Sequence, residues 1–474
     1  MLEIKHNSLY LCIHVSIQFG VDSMSANKNL DQLARLQNIL ASGPCKAPEL
    51  QRILGVSQPT LSRLIRRAGK RIFSLGASRA RFYALPRVLA DVGSEIEVFK
   101  VEASGDVGSL GTLFCLAGAQ YYWQPKAGKG TLFRHLPWFV HNVRPEGFLG
   151  RAFAHKYHAQ GFPERLSDWN DEHLLRALTQ YGADLPGNFI FGTHALSAYL
   201  KLVHTGYTKV LPQERSHVYP EMALDAMAGN PPGSSAGGEQ PKFTAVIQDE
   251  EVRHVIVKFS PPVTTPEGQR WADLLVSEHL ALSTLEKAGR SVSASEILFS
   301  EHRCFLEVQR FDRTGDFGRC ATATLGIIED ELFGVRDSWD RAAQRLEEEK
   351  MLSGESVRAI RLQSAFGKLI ANTDQHFGNI SFFVREWERF ELAPAYDVLP
   401  MFYSPASTGE IISRHYYMPA PGADLLDVWS EAQTWALCFW ERVCADSRIS
   451  EDFRSIAQRH VEDLRRERVP CFIG

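Results

Sequence analysis

The stretch Asn372-Thr373-Asp374-Gln375-His376-Phe377-Gly378-Asn379 sets an aspartate and an asparagine five positions apart, between an amphipathic run and the apolar run Ser381-Phe382-Phe383-Val384. A further short strand pattern, Phe390 to Tyr396, ends on Asp397. Apolar runs of this length read as strands, which leaves two carboxylates and one carboxamide at strand ends. Loops held there by a rigid scaffold are where binding and catalytic groups concentrate, and solubility does not require carboxylates in them. A chain presenting such loops mixes helices and strands, and the expected class is α+β.

The 474 residues exceed what one hydrophobic core usually organises, so two or three domains are expected. The net charge of -4 hides an asymmetry. From Leu61 to Ala90 the ionised residues are Arg63, Arg66, Arg67, Lys70, Arg71, Arg79, Arg81 and Arg87, with no acid among them, which makes a local cationic patch. The eight cysteines are scattered without a C-x-x-C pair, the usage of a reduced, cytoplasmic protein without structural zinc. No apolar run reaches the ~18 residues that span a bilayer, so no membrane partner is expected. Residues 1–29 read as a disordered extension in which Met24 is a candidate start.

Helical spacing of Leu30, Leu33, Leu36, Ile39 and Leu40 opens the ordered chain. Ala47 to Leu54, with Pro48 in its first turn, predicts a second helix, and Gln58 to Gly69, with Pro59 near its start, a third. Helix, turn at Gly55 and cationic helix read as a helix-turn-helix, and the runs flanking Gly76 as a β-wing. Residues 30–90 are therefore a candidate DNA-binding domain, with a basic protein-interaction module as the alternative. Under the DNA reading Gln58, Thr60, Ser62 and Arg63 face base edges while Arg66, Arg67, Lys70 and Arg79 hold phosphates. Paired half-sites are common for such modules, so a homodimer is plausible.

Short alternating strands follow between Glu95 and Phe133, then mixed helix and strand patterns to residue 215. Residues 216–315 hold a glycine-rich loop and strands around one long helix, and 316–474 are mostly helical. The loop Gly233-Ser-Ser-Ala-Gly-Gly-Glu-Gln-Pro-Lys242 lets main-chain N–H groups approach an anion, although surface loops also collect Gly and Ser. Within Val252 to Phe259, Lys258 shares a strand face with His254 and Ile256. A lysine among Val and Ile requires an anionic partner, either a carboxylate such as Glu278 or a phosphate.

Phosphoryl transfer needs oxygen ligands for metal ions that bridge nucleotide phosphates and a carboxylate beside the attacking hydroxyl. Glycine loop, strand lysine, Asp-x4-Asn and a later strand-end Asp occur here in the order of kinase-like ATP sites. On Ser235-x-x-Gly238-x-Gln240-x-Lys242, Lys258, Gln309-Arg-Phe-Asp-Arg313, the 372–379 stretch, Pro394-Ala-Tyr-Asp-Val-Leu-Pro400 and Leu136-Pro-Trp-Phe-Val-His-Asn-Val-Arg-Pro-Glu-Gly147, the chain resembles the HipA-like serine/threonine kinases. These are toxins of bacterial toxin–antitoxin systems, and the likeness covers about 95–440. With a helix-turn-helix in front, it most resembles the YjjJ-type members.

The resemblance implies a bilobal kinase fold using ATP and Mg2+, with Asp374 as catalytic base and Asn379 and Asp397 as magnesium ligands. It implies Lys258 on the nucleotide phosphates, the main chain of Gln309, Arg310 and Phe311 at adenine, and Gly237, Gly238, Glu239, Gln240, Pro241 and Lys242 over the phosphates. His376 and Tyr396 would complete the pocket, and Ser235 matches the serine that becomes autophosphorylated. A protein substrate is implied, aminoacyl-tRNA synthetases being among the family's targets, as is an antitoxin. Two features depart from the family: Gln375 stands where many members carry Arg, and the DNA-binding module is fused. Two other functions remain open, a small-molecule kinase and a DNA-binding transcription regulator with an inactive kinase-like module.

Overall fold

The computed structural model describes residues 31–77, 81–229, 240–386 and 389–466. At the front, helix α1 (31–41), α2 (Ala47–Leu54) and α3 (Gln58–Ala68) surround a core of Leu33, Leu36, Leu40, Leu50, Leu54, Leu61 and Leu64. The turn after α2 needs positive φ, which Gly55 supplies at 65°. Strands β1 (Cys45–Lys46), β2 (Phe73–Leu75) and β3 (Phe82–Ala84) make a small antiparallel sheet in the order β1-β3-β2. Its apolar face, Leu75, Phe82 and Ala84, packs on Leu116 and Tyr122 of the next unit.

That unit is an antiparallel sheet of β4 (Glu95–Val101), β5 (Val107–Leu116), β6 (Gln120–Pro125), β7 (Thr131–Phe133) and β8 (Phe189–Phe191), ordered β7-β6-β5-β4-β8. The first four strands are the meander read from alternation. The fifth returns beside β4 after helices α4 (Trp138–His141), α5 (Gly147–Tyr157) and α6 (Asp171–Tyr181), and leads into α7 (Gly192–Thr205).

A second mixed sheet runs β12-β13-β11-β10-β9, from β9 (Lys209–Val210), β10 (Lys242–Gln248), β11 (Val252–Phe259), β12 (Ser295–Ser300) and β13 (Arg303–Gln309). Strict alternation divides its faces. Val255, Val257, Phe259 and Phe305 pack on Tyr219 and Ala223 of α8 (Arg215–Ala228), while Leu306 and Val308 join the core that holds α9 (Pro266–Lys287). Lys258 pairs with Leu306 across β11 and β13 and so faces α9.

Beyond the hairpin β14 (Arg313–Thr314) and β15 (Gly318–Arg319) lie α10 (Leu325–Leu332), α11 (Trp339–Glu348), α12 (Gly354–Leu369), α13 (Leu426–Ala445) and α14 (Glu451–Arg466). This helical part also carries a sheet of β16 (Thr322–Thr324), β17 (Ser381–Glu386) and β18 (Arg389–Leu392). The strand expected up to Tyr396 stops at Leu392: Pro394 has no N–H for a ladder, and only Ala395 keeps a bridge, to Val292.

An ion network ties the first large sheet unit to the second. Asp312 accepts from Arg310 at 2.9 Å, from Arg313 at 2.6 Å and from the Gly187 N–H at 3.0 Å, and Arg313 also grips Asp184 at 2.9 Å. Burial would raise the Asp312 carboxyl, but Arg310 and Arg313 outweigh it and hold the group far below the usual carboxylate range. No described helix is long and apolar enough to cross a membrane.

Candidate functional site

Lys258 lies next to the last residue of β11, its ammonium 2.6 and 2.7 Å from the Glu278 carboxylate of α9 and hydrogen-bonded to Asp397. The side chains of Lys258 and Glu278 are 7% and 0% exposed and that of Asp397 30%. Burial alone would lower the lysine, yet the two carboxylates hold it above its ordinary value. Glu278 is pushed up by burial, with Lys258 pulling the other way. Burial also acts to raise Asp397, but Lys258 and then Lys242 prevail and hold it down. Two carboxylates therefore share one buried ammonium, with Lys242 as a second cation on the same cavity wall. Asp397 has φ 53°, a left-handed conformation that Asp tolerates better than most residues and that marks a constrained site.

The loop 372–379 follows α12. The Asn372 Oδ1 accepts the Asp374 N–H at 3.0 Å, and the Asn379 Nδ2 donates to the Asp374 carbonyl at 2.8 Å. With its nitrogen used inside the loop, the Asn379 side chain has its oxygen to offer a cation. The His376 Nδ1 accepts the Gly378 N–H at 3.0 Å, which places the ring proton on Nε2, 4.0 Å from Asp374 Oδ1. Tyr396 braces the loop from behind: its hydroxyl donates to the Gly378 carbonyl at 2.6 Å and lies 2.7 Å from Ser381 Oγ. Gln375 turns away from the cleft and donates to the Ser364 carbonyl of α12 at 3.1 Å. A Cβ on Gly367 would overlap that Gln375 amide, so the glycine lets the loop sit down on the helix.

One cavity of about 240 Å³ is lined by Gln240, Lys242, Lys258, Asp374, His376, Asn379 and Asp397, with Glu146, Trp271 and Met401. A neighbouring cavity of about 480 Å³ shares Glu146, Lys242, Lys258 and Asp397 with it and extends along Ile256, Val308, Gln309, Arg310, Phe311 and Tyr396. Together they form one cleft with an ionic end and a largely apolar end. At the ionic end the Gln240 Nε2 is buried and finds no partner among the described residues. Pro241 precedes Lys242 at the same edge, its carbonyl accepting the Phe259 N–H at 3.1 Å. At the apolar end the Gln309 and Arg310 N–H groups are spent on the Ala294 and His254 carbonyls, and the Arg310 guanidinium is spent on Asp312. Those two N–H groups are therefore occupied within the fold, while Gln309, Arg310 and Phe311 all line the larger cavity. The Phe311 ring lies 5.5 Å from that of Tyr396.

Gly237, Gly238, Glu239 and the autophosphorylation candidate Ser235 lie outside the described residues, as do Arg79 and the extension 1–29. A wall not foreseen comes from the first large sheet unit: Arg144, Pro145, Glu146, Leu149 and Phe153 line the larger cavity. The only sequence signal for it is the 136–147 motif, to which no role had been attached. None of Gln58, Ser62, Arg63, Arg66, Arg67 and Lys70 lines this cleft, and all are exposed on or just after α3. Thr60 is half-buried and lies 3.1 Å from Ser57 Oγ, while its Oγ1 accepts from Arg63 at 3.2 Å.

Residues 92–200 match the family model of the YjjJ-like toxin middle domain, and residues 234–466 that of the HipA-like C-terminal domain. Toxin YjjJ of Escherichia coli (strain K12) is 36% identical over 437 residues, covering 91% of this chain and 98% of that one. Among solved structures, a chain of the Shewanella oneidensis MR-1 complex of HipA, HipB and operator DNA aligns with a TM-score of 0.49 at 16% identity, over 78% of this chain and 95% of its own. The Helicobacter pylori proinflammatory kinase CtkA aligns with a TM-score of 0.34 at 13% identity, over 50% of this chain and 92% of its own.

Proposed function

The chain belongs to the HipA-like toxin family, in its YjjJ-type branch, and from that premise we propose that it is an ATP- and Mg2+-dependent protein serine/threonine kinase. The observation that carries this is the meeting of Lys242, Lys258, Asp374, Asn379 and Asp397 around one cavity from four separate stretches of sequence. Asn379 and Asp397 would hold magnesium. Among the described residues no group of three or more His, Cys, Asp or Glu could hold a metal by itself, and a magnesium ion that takes one or two protein oxygens and completes its shell with phosphates fits such a donor set.

When bound, magnesium neutralises charge on the transferring phosphoryl group. Asp374, 49% exposed at the mouth, accepts the proton of the substrate hydroxyl. The His376 Nε2 stands 4.0 Å from that carboxylate at the same mouth. Lys258, fixed by Glu278, and Lys242 meet the phosphates, while Ile256, Val308 and Phe311 cover the base. The buried Gln240 amide at the ionic end, without a partner among the described residues, supports a polar ligand there. Autophosphorylation on Ser235 would add about -1.5 to -2 charges to the loop that covers the phosphates, which would oppose nucleotide binding.

The substrate is a protein, with an aminoacyl-tRNA synthetase as one candidate, and an antitoxin is a candidate partner. Residues 30–90 bind DNA in this proposal, the exposed cations of α3 meeting phosphates. The other units are a middle subdomain at 95–215, an ATP-binding lobe at 216–315 and a catalytic lobe at 316–474. The test is transfer of label from γ-labelled ATP by the purified full chain. Magnesium-dependent labelling of the chain or of a lysate protein, lost in Asp374→Asn, supports the proposal. Labelling indifferent to Asp374 removes it.

A further inference from the structure

A second cavity, of about 240 Å³, shares no lining residue with the catalytic cleft and lies behind it. Its walls come from the turn after α9, the first turns of α12, the chain leading to Asp397, and Trp435 of α13. At ≈30 Å³ per water, it has room for a ligand the size of about eight waters.

Its polar groups are unusual for a packing defect. Gln363 is only 7% exposed, yet its Nε2 is buried and has no partner among the described residues. The Arg290 Nε is also buried and unpartnered, and its residue is held in place because the Arg290 N–H donates to the Leu285 carbonyl at 2.9 Å in the turn closing α9. Buried donors without a partner call for an explanation. Both belong to residues lining the cavity. Two such donors suit a carboxylate. Glu355, exposed in the first turn of α12, also lines the cavity and would repel a simple anion but attract an ammonium group. Leu285, Leu392 and Trp435 supply an apolar wall.

We propose that this cavity is a binding site for a small zwitterion of the α-amino acid class, its carboxylate on Gln363 and Arg290, its ammonium towards Glu355 and its side chain against Trp435. The wall is shared with the catalytic arm. Ala395 lines this cavity while Tyr396 and Asp397 line the cleft, and Ala395 is tied to the turn after α9 by bonds to Ser291 and Ser293 at 3.0 and 2.9 Å.

The test is calorimetric titration of the full chain, without nucleotide, with the common L-amino acids one at a time and with the 2-oxo acid matching the tightest binder. Because no nucleotide is present, the outcome is independent of the kinase proposal. The expected result is saturable binding of at least one amino acid. It should weaken at least tenfold for the 2-oxo acid, in Gln363→Leu, which removes the donor while keeping the volume, and in Ala359→Leu, which fills the cavity from its wall. Should Gln363→Leu fail to fold, Ala359→Leu carries the same expectation. Absence of saturable binding at millimolar concentration overturns the site. Binding untouched by the substitutions overturns its location, and equal binding of the 2-oxo acid overturns its zwitterion chemistry.

Discussion

Replacing Lys258 with Met removes the one cation between two carboxylates and keeps a similar volume. Asp397 is 30% exposed and can turn to water, but Glu278 is wholly buried and must either stay charged without a partner or take a proton. Breaking a buried pair costs about 3–5 kcal/mol when the remaining charge persists. Protonation sets a ceiling: from the ordinary 4.5 of a glutamate, neutralising Glu278 near pH 7 costs about 3.4 kcal/mol and near pH 5 about 0.7. An acid with a raised folded pKa loses stability as pH climbs from its unfolded value towards its folded one. The deficit of Lys258→Met should therefore be about 3 kcal/mol near pH 7 and shrink by about 2 kcal/mol towards pH 5. Asp397→Asn should behave oppositely. It leaves Lys258 and Glu278 matched and Asn accepts φ 53°, so its stability should stay within about 1 kcal/mol of wild type while phosphoryl transfer disappears. Urea unfolding at several pH values reads both. A Lys258→Met chain within about 0.5 kcal/mol of wild type near pH 7 would refute the buried triad.

Gly367→Val should push Gln375 off the Ser364 carbonyl, cost about 1–3 kcal/mol and lower the transfer rate through displacement of the Asp374 loop, measured as single-turnover labelling. Arg313→Met should take one guanidinium from both Asp184 and Asp312, which keep Arg319 and Arg310, destabilise by about 1–3 kcal/mol and open the junction between the two large sheets to limited proteolysis. His460, stacked 4.1 Å from Trp440 with the Tyr403 hydroxyl at 2.6 Å, is lowered by burial to about 3. The unfolded chain binds that proton first, so stability should fall as pH drops below 6.5 by about 1.4 kcal/mol per unit, a slope that His460→Phe should remove from an acid titration of unfolding. Arg66→Ala and Arg67→Ala should each weaken DNA binding evenly across sequences and reduce the salt slope by about 1.

Local elements were legible because their signals are local. Pro48, Gly55, Pro59 and Gly69 bound α2 and α3 where capping rules place them, and the alternation around Lys258 gave the face it occupies. Glu278 was legible as one candidate carboxylate, but the choice between it and a phosphate depends on how α9 crosses the sheet, which no periodicity encodes. The return of β8 beside β4, the wall formed by Arg144 to Phe153 and the bond from the Gly187 N–H to Asp312, 125 positions away, join residues far apart in sequence. Spacing rules are silent at such distances. That the Gln309 and Arg310 N–H groups are taken by the Ala294 and His254 carbonyls is likewise a tertiary fact that spacing does not encode.

The most direct test of the site is calorimetry of a non-hydrolysable ATP analogue with and without magnesium, on the wild-type chain and on Asp397→Asn. Saturable binding that tightens with magnesium in the wild type, and loses at least tenfold of that gain in Asp397→Asn, is what a cleft built on Lys258, Asn379 and Asp397 predicts. Absence of binding at millimolar nucleotide, or an affinity that ignores both magnesium and Asp397, would contradict it.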